Sequence, residues 1–161
     1  CHYGAEKSRH AVIPSATVCM NCHKYVQQGP KYGKKEIAKI YSYSGWDPDK
    51  AAFVNKPKPI EWVKIHNLPD HVYFNHSQHV KVGGIECQTC HGKIEEMETV
   101  EQYAPLSMGW CINCHRNTDV KFKDNNYYSI FEKYKHEMEI HSRDNVTVED
   151  IGGTECQKCH Y

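Results

Sequence analysis

The stretch that decides the fold of this chain is GGIECQTCH at residues 83–91. It recurs as GGTECQKCH at residues 152–160, with seven of the nine positions identical. Its last five residues follow the pattern CxxCH, which occurs twice more, at residues 19–23 and 111–115. The chain therefore contains an internal repeat built on four CxxCH motifs.

The CxxCH pattern is the attachment signature of c-type haem. Two thiols at this spacing can add to the two vinyl groups of one porphyrin, and the adjacent histidine then lies under the iron as the proximal ligand. The sequence therefore predicts covalently bound haem c. The predicted attachment residues are Cys19, Cys22, Cys87, Cys90, Cys111, Cys114, Cys156 and Cys159, and the predicted proximal ligands are His23, His91, His115 and His160.

Three other kinds of site use cysteine pairs of this spacing. Nine cysteines would suit a disulfide-rich secreted protein. A CxxC pair also occurs in thioredoxin-like redox sites, and the pairs at 87–90 and 111–114 have the spacing of a zinc ribbon. None of these sites requires a histidine directly after each pair, so the pattern favours haem.

The ninth cysteine begins the sequence. Cys1-His2-Tyr3 repeats the end of the chain, Cys159-His160-Tyr161, and the simplest explanation is the end of a fifth CxxCH motif. On this interpretation Cys1 is an attachment residue, His2 is a proximal ligand and the chain binds five haems. It also predicts that a signal or membrane anchor precedes residue 1. The alternative is that Cys1 is the acylated first residue of a mature lipoprotein, which leaves four haems.

The composition argues against several classes of protein. Twenty Lys and Arg balance twenty Asp and Glu, which is unlike a general nucleic-acid binder. No apolar run is long enough to span a membrane. The mean hydropathy of −0.76 is low for a chain that must build its own core. We therefore expect a mainly irregular fold with short α-helices, whose core is built from stacked haems.

The remaining histidines are candidates for the sixth, distal ligand of each iron. Seven histidines are left for five haems, which favours bis-histidine ligation throughout. Such haems are low-spin and have no open position for a substrate, so they carry electrons. No catalytic residue is predicted, and the chain is not expected to be an enzyme by itself. The predicted distal ligands are His10, His66, His76, His79 and His136, with His71, His141 and Met108 as alternatives.

The run FNHSQH at residues 74–79 resembles a motif of cytochromes of the c3/c7 type. In those proteins the first histidine ligates the haem of the next CxxCH and the second reaches another haem. The resemblance implies these two roles for His76 and His79. We therefore predict one multihaem cytochrome c domain of c3/c7-like character over residues 1–161. It would consist of an N-terminal haem segment (1–46), a Pro-rich linker (47–60) and a c3/c7-like haem segment (61–161).

Regular structure is expected to be sparse. Apolar residues at helical spacing predict helices over residues 34–44 and 126–141. Short helices are also expected at the CxxCH motifs.

Three longer stretches resemble one particular family. They are WVKIHNLPDHVYFNH at residues 62–76, MGWCINCHR at residues 108–116 and GGTECQKCHY at residues 152–161. They look like the pentahaem cytochrome c subunit of alternative complex III, a membrane-bound respiratory quinol:electron-acceptor oxidoreductase. The resemblance implies a place on the periplasmic side of the bacterial inner membrane. The implied partners are an iron–sulfur/molybdopterin-oxidoreductase-like subunit, quinol-oxidising membrane subunits, a monohaem cytochrome c and a terminal oxidase.

Three other functions stay open on the sequence alone. The chain could be a free periplasmic shuttle of the c3/c7 type. It could be a multihaem reductase with one open haem, or a zinc-stabilised interaction module.

Overall fold

The computed structural model describes residues 2–160 and divides them into two compact units. The first unit contains Val12–Val63 together with His2 and Tyr3, and the second contains Gly4–Ala11 and the chain from Lys64 onward. The regular structure consists of short helices and a two-stranded hairpin. Within this described part of the chain, no helix has both the length and the apolar character needed to cross a membrane.

Two α-helices lie in the first unit. Helix α1 (Ala16–His23) carries the first CxxCH motif, and Met20, between its two cysteines, is fully buried. Helix α2 (Lys35–Ser44) confirms the helix predicted over residues 34–44. It ends at Gly45, whose φ of 75° places the C-cap in the left-handed region that glycine adopts without strain.

A small hairpin follows α2. Strands β1 (Trp46–Asp47) and β2 (Ala52–Phe53) pair antiparallel. The carboxylate of Asp47 accepts two backbone N–H bonds from the turn between them, as aspartate does in Asx turns. The first part of the segment predicted to be a Pro-rich linker, residues 47–60, therefore forms a hairpin rather than an extended chain.

The second unit contains the other three complete motifs, each on a short helix, as predicted. Its helical elements are a π-helical turn (Gln78–Val82), α3 (Cys87–His91), a 3-10 turn (Ile94–Glu96), α4 (Met108–Asn117), a 3-10 turn (Asn126–Phe131), α5 (Glu132–Glu139) and α6 (Cys156–Cys159).

A small apolar core lies next to α5. Val120, Tyr128 and Val146 are buried together, and the Val120 N–H donates to the Val146 carbonyl over 2.7 Å. The helix predicted over residues 126–141 is only partly α-helical, because its first six residues form the 3-10 turn. Spacing by three residues buries Tyr128 and brings Phe131 against the core. Tyr127, which the α-helical pattern placed on the apolar face, is 52% exposed.

Few apolar side chains are buried in the described residues. A chain of this length normally removes many more large side chains from water when it folds. The sparse core therefore fits a protein in which prosthetic groups supply apolar volume. The buried hydrophobic residues are Ala16, Met20, Ile37, Ala104, Val120, Tyr128 and Val146.

Candidate haem-binding sites

In the first three complete motifs the two cysteines and the histidine lie in one helix, whereas α6 ends at Cys159 and His160 follows it in an extended conformation. Residues at i, i+3 and i+4 of an α-helix share a face, and this is the spacing of Cys19, Cys22 and His23 in α1. The eight cysteines within residues 2–160 are all free thiols, so the structure gives no support to the disulfide alternative. Cys1, the predicted ninth attachment residue, lies outside the described residues.

Three of the predicted proximal histidines lie against a second histidine ring. The ring centroids of His79 and His115 are 6.1 Å apart with an angle of 28° between the ring planes. Those of His71 and His160 are 5.4 Å apart at 26°. The rings of His66 and His91 are 4.3 Å apart and nearly perpendicular, at 83°. The second unit therefore brings three of the four complete motifs next to a candidate distal ligand.

The spacing of these pairs can be compared with that of two imidazoles on one iron. Two metal–nitrogen bonds of the usual length, plus the distance from each nitrogen to its ring centre, place the centroids about 6 Å apart. The His79–His115 pair already has this separation. The ring centroids of His71 and His160 are closer together than this by less than about 1 Å, and those of His66 and His91 by about 2 Å. The rings of these two pairs must therefore move apart to admit an iron.

The candidate ligands share a second feature, which is the hydrogen bond made by Nδ1. In six of them Nδ1 lies within hydrogen-bonding distance of a backbone carbonyl oxygen. An Nδ1–H that donates in this way leaves Nε2 without a proton and fixes the rotation of the ring, as at other histidine-bound metals. The bonds join His2 to Val12 (2.8 Å), His23 to Val26 (3.0 Å), His76 to Arg9 (2.9 Å), His79 to Asn75 (2.8 Å), His115 to Gly153 (2.6 Å) and His160 to His71 (3.4 Å).

His66 provides the clearest sign that a group is to be bound. Its Nε2 is buried and has no hydrogen-bond partner. A buried polar nitrogen without a partner is costly, and native structures rarely contain one without a specific reason. Coordination to an iron would satisfy this atom. The residues present therefore fit a bis-histidine haem, and a bound haem would supply the redox-active iron.

The protonation of His79 agrees with a role as ligand. Burial lowers the pKa of this side chain, and the nearby His115 and His76 lower it further, while the bond to the Asn75 carbonyl acts in the opposite direction. A depressed pKa keeps the imidazole neutral, which is the form that binds a metal.

The predicted attachment cysteines of the last three motifs influence one another electrostatically. Burial raises the pKa of the Cys90 thiol, and Cys114, Cys111 and Cys87 raise it further. The pKa of Cys111 is raised by burial and then by Cys159 and Cys114. The thiols of motifs that are distant in sequence thus lie close enough to influence one another.

Other predicted ligands lie outside the three pairs. His10, His136 and His141 are exposed to solvent, and Met108 is 67% exposed at the start of α4. His76 is half-buried and bonded to the Arg9 carbonyl. The distal roles of these residues stay predictions.

Sequence reasoning missed the carbonyl groups that orient the ligands. Gly153, Asn75 and Arg9 each accept the Nδ1 bond of a candidate ligand. The repeated Gly-Gly pair before the second and fourth motifs was a signal that the backbone there has a special geometry, but it did not reveal the bond. His71, which the sequence offered only as an alternative ligand, lies against His160.

The zinc alternative has no counterpart in the part of the chain that the structure describes. No group of three or more His, Cys, Asp or Glu side chains is arranged there to hold a metal ion directly.

Comparison with known protein families agrees with the haem-binding motifs described above. The class III cytochrome C family matches residues 50–160, which include three of the four complete motifs and all three histidine pairs. No curated protein matches the chain. The family match covers more than half of the sequence, and its cofactor is c-type haem. The chain therefore belongs to the class III cytochrome c family, with a c3/c7-like multihaem fold, and is a carrier of electrons.

Proposed function

We propose that the chain is the electron-transfer subunit of a membrane-bound respiratory quinol:electron-acceptor oxidoreductase of the alternative complex III type. It would pass electrons through five c-type haems to a cytochrome c or a terminal oxidase. The observation that carries the electron-transfer role is the His79–His115 pair, whose 6.1 Å separation matches two axial ligands on one iron. With both axial positions taken, an iron changes oxidation state without binding a substrate.

The neighbouring thiols of Cys90, Cys111 and Cys114 support transfer between haems. Porphyrins attached through neighbouring cysteines have their edges close together, and electrons move most readily between close redox centres. Cys159 adds the last motif to this group through its influence on Cys111. The second unit would then hold at least three haems in one conducting group.

The number five rests on the first motif fragment, Cys1-His2. The Nδ1 of His2 lies 2.8 Å from the carbonyl oxygen of Val12, the same kind of bond that His23, His115 and His160 make. Although His2 is exposed, this orienting bond supports a proximal-ligand role over a position next to an acylated cysteine.

The sequence resemblance supports the place in a complex. On this proposal, the chain lies on the periplasmic side of the inner membrane. It receives electrons from an iron–sulfur subunit and quinol-oxidising membrane subunits, and delivers them to a monohaem cytochrome c or a terminal oxidase.

The test combines a haem count with a purification from native membranes. The pyridine haemochrome absorbance of denatured, quantified protein should give five haems per chain, and a Cys1→Ala variant should give protein whose first haem has lost one of its two thioether bonds. Detergent-solubilised membranes should yield the chain together with quinol-oxidising subunits. Recovery of the chain alone from the periplasmic fraction would identify a free shuttle instead. Binding of carbon monoxide by the reduced native protein would identify an open haem and a reductase.

A further inference from the structure

We propose that the first unit binds an anionic phospholipid, with the phosphate headgroup in a cationic cleft beside α1 and the apolar part of the lipid along an adjoining groove. The cleft has a volume of about 250 Å³ and the groove a volume of about 190 Å³. All the described residues that line them lie within residues 12–63. The lipid site is separate from the candidate haem ligands and goes beyond the proposed electron-transfer function.

The cleft lies on the side of α1 that faces away from the haem motif of that helix. Thr17, Asn21 and Lys24 line it, and their spacing of four and then three residues places them on one face of the helix. The cysteines and the histidine of the motif at residues 19–23 share the opposite face. A haem attached through those cysteines therefore leaves the Lys24 face of α1 uncovered.

The polar groups of the cleft suit an anion. Lys24 supplies a positive charge, the side-chain amides of Asn21 and Asn55 can donate hydrogen bonds, and so can the hydroxyl of Thr17. None of the described residues that line the cleft is acidic. A phosphate group, whose oxygens accept hydrogen bonds, would find donors and a cation here without a competing carboxylate.

A buried donor without a partner lies next to the cleft. Nε1 of Trp46 is buried and has no hydrogen-bond partner. Nζ of Lys24 lies 5.8 Å from the centre of the Trp46 ring, and the ring of Phe53, which also lines the cleft, packs edge-on against Trp46 with the ring centroids 5.0 Å apart. Burial of an unpaired N–H is costly, so an acceptor oxygen supplied by a ligand at this place would stabilise the unit.

An apolar groove adjoins the cleft at Pro57, which lines both. Pro59, Ile60 and Trp62 line the groove, and the side chain of Trp62 is 57% exposed. Its neighbour Val63 is 81% exposed. Tryptophan is enriched where the hydrocarbon of a membrane meets water. A cationic cleft that continues into an apolar groove matches a molecule with a phosphate at one end and hydrocarbon at the other.

The charge of the first unit favours an anionic lipid over a neutral one. Residues 12–63 contain eight lysines and no arginine against four acidic residues, whereas the rest of the chain contains twelve basic and sixteen acidic residues. Haem propionates would add negative charge chiefly to the second unit, which holds three of the four complete motifs. Each lysine close to a membrane surface that contains anionic lipid strengthens binding to that surface.

Co-sedimentation with lipid vesicles at physiological ionic strength tests the site, and the haem absorbance of the holoprotein measures binding. Vesicles of equimolar phosphatidylglycerol and phosphatidylcholine should bind the wild-type protein more tightly than vesicles of phosphatidylcholine alone. Lys24→Gln should weaken binding to the anionic vesicles about fivefold, and Lys24→Arg should retain it. Trp62→Ala should weaken it about tenfold. The visible spectrum of each variant should match that of the wild type, which shows that the haems are intact.

Two matched variants remove similar groups at other places. Lys35→Gln removes an exposed lysine of the same unit that lines neither the cleft nor the groove. Ile130→Ala shortens an apolar side chain that is 81% exposed in the second unit. Both variants should bind the anionic vesicles as the wild type does. Equal losses in Lys24→Gln and Lys35→Gln would overturn the site, because they would indicate a diffuse attraction between the lysines and the membrane charge.

Glycerol phosphate, which has no acyl chains, separates a lipid from a free phosphate ligand. If calorimetric titration shows that it binds as tightly as the vesicles do, with the same affinity in the Trp62→Ala protein, the cleft takes a free phosphate and the lipid proposal is wrong. Equal binding to the two kinds of vesicle would also overturn the proposal, since no anionic headgroup would then be recognised. Neither outcome alters the haem count that tests the proposed function.

Discussion

Nδ1 of His115, the predicted proximal ligand of the third complete motif, lies 2.6 Å from the carbonyl oxygen of Gly153, which precedes the fourth motif. Consecutive motifs are therefore coupled, because the backbone that leads into one motif orients the ligand of another. The Arg116–Glu149 ion pair, at 3.0 Å, joins the same two segments. Such outer partners set the basicity of a metal ligand as well as its direction.

Replacing Gly153 by alanine should disturb His115 from a distance. A Cβ at this position would lie 2.3 Å from Cγ1 of Val148 and 2.6 Å from its carbonyl oxygen, so the Gly153 backbone must shift. We expect Gly153→Ala to lower the free energy of unfolding by about 1–3 kcal/mol. The weakened hydrogen bond should also raise the reduction potential of one haem, because a less basic imidazole stabilises the ferric iron less.

Spectroelectrochemical titration would measure that potential. Gly109→Ala is the matched control, since Gly109 lies in α4 with the same motif and an added Cβ would meet no atom within 4 Å. That variant should keep all the potentials. Unchanged potentials in the Gly153→Ala protein would show that the carbonyl does not tune His115.

Asp150 should make the stability of the protein depend on pH at the acid end. Its carboxylate accepts the Thr147 backbone N–H and hydroxyl, each over 2.8 Å, and bonds to Arg143 over 2.6 Å. The Thr147 backbone bond is the largest of the causes that lower the pKa of Asp150 below 3.8. Because the pKa of Asp150 is lower in the folded state than in the unfolded state, its carboxylate stabilises the fold at pH values above the unfolded-state pKa. This stabilisation is lost as the pH falls through the folded-state pKa.

We therefore expect Asp150→Asn to unfold more easily than wild type near neutral pH, and the difference to shrink as the solution is acidified below about pH 4. The difference in free energy of unfolding between the two proteins is measured by urea unfolding at a series of pH values. Asp144→Asn, an exposed position in the same segment that removes the same charge, is the control. Equal pH dependence in the two variants would contradict a specific role for Asp150.

The parts of the site that sequence could predict are local ones. A thiol pair and its histidine occupy five consecutive residues, so the CxxCH pattern was enough to predict the motif helices and the type of cofactor. The helix over residues 34–44 was also predictable, because its apolar spacing and its terminal Gly45 are neighbours in sequence.

The ligand pairs depend on contacts that no local pattern contains. His71 and His160 are 89 positions apart, and the backbone bridge at Val72 is what brings them together. The 3-10 turn at Asn126–Phe131 was missed for a related reason. Burial of Tyr128 against Val120 and Val146 favours spacing by three residues over the α-helical pattern that the sequence displays.

Gly45 and Gly33 allow the cost of backbone strain to be separated from that of a steric clash. Both have positive φ, 75° and 59°, but a Cβ on Gly45 would lie 2.1 Å from the Asn55 carbonyl oxygen, whereas one on Gly33 would meet nothing within 4 Å. We expect Gly33→Ala to cost about 1–2 kcal/mol, the usual penalty of the left-handed conformation. Gly45→Ala should lower the free energy of unfolding by more than Gly33→Ala does. Urea unfolding of the two holoproteins measures this difference. Equal losses would mean that the segment around Asn55 moves freely away from Gly45.

Val146 tests how much stability this small apolar core provides. The side chain is 1% exposed and packs with Val120 and Tyr128, so truncation removes buried contacts and leaves a cavity. We expect Val146→Ala to lower the free energy of unfolding by about 1–3 kcal/mol. The control, Val63→Ala, changes a side chain that is 81% exposed and should stay within about 0.5 kcal/mol of wild type.

Val146 is not one of the candidate ligands, so the visible spectrum of the haems should not change in the Val146→Ala protein. The two measurements together decide what holds the second unit together. A loss of stability with an unchanged spectrum would show that the apolar core stabilises the fold independently of haem ligation. A wild-type free energy of unfolding would show that the haems and their ligands supply the stability, and that the Val120–Tyr128–Val146 core contributes little beyond them.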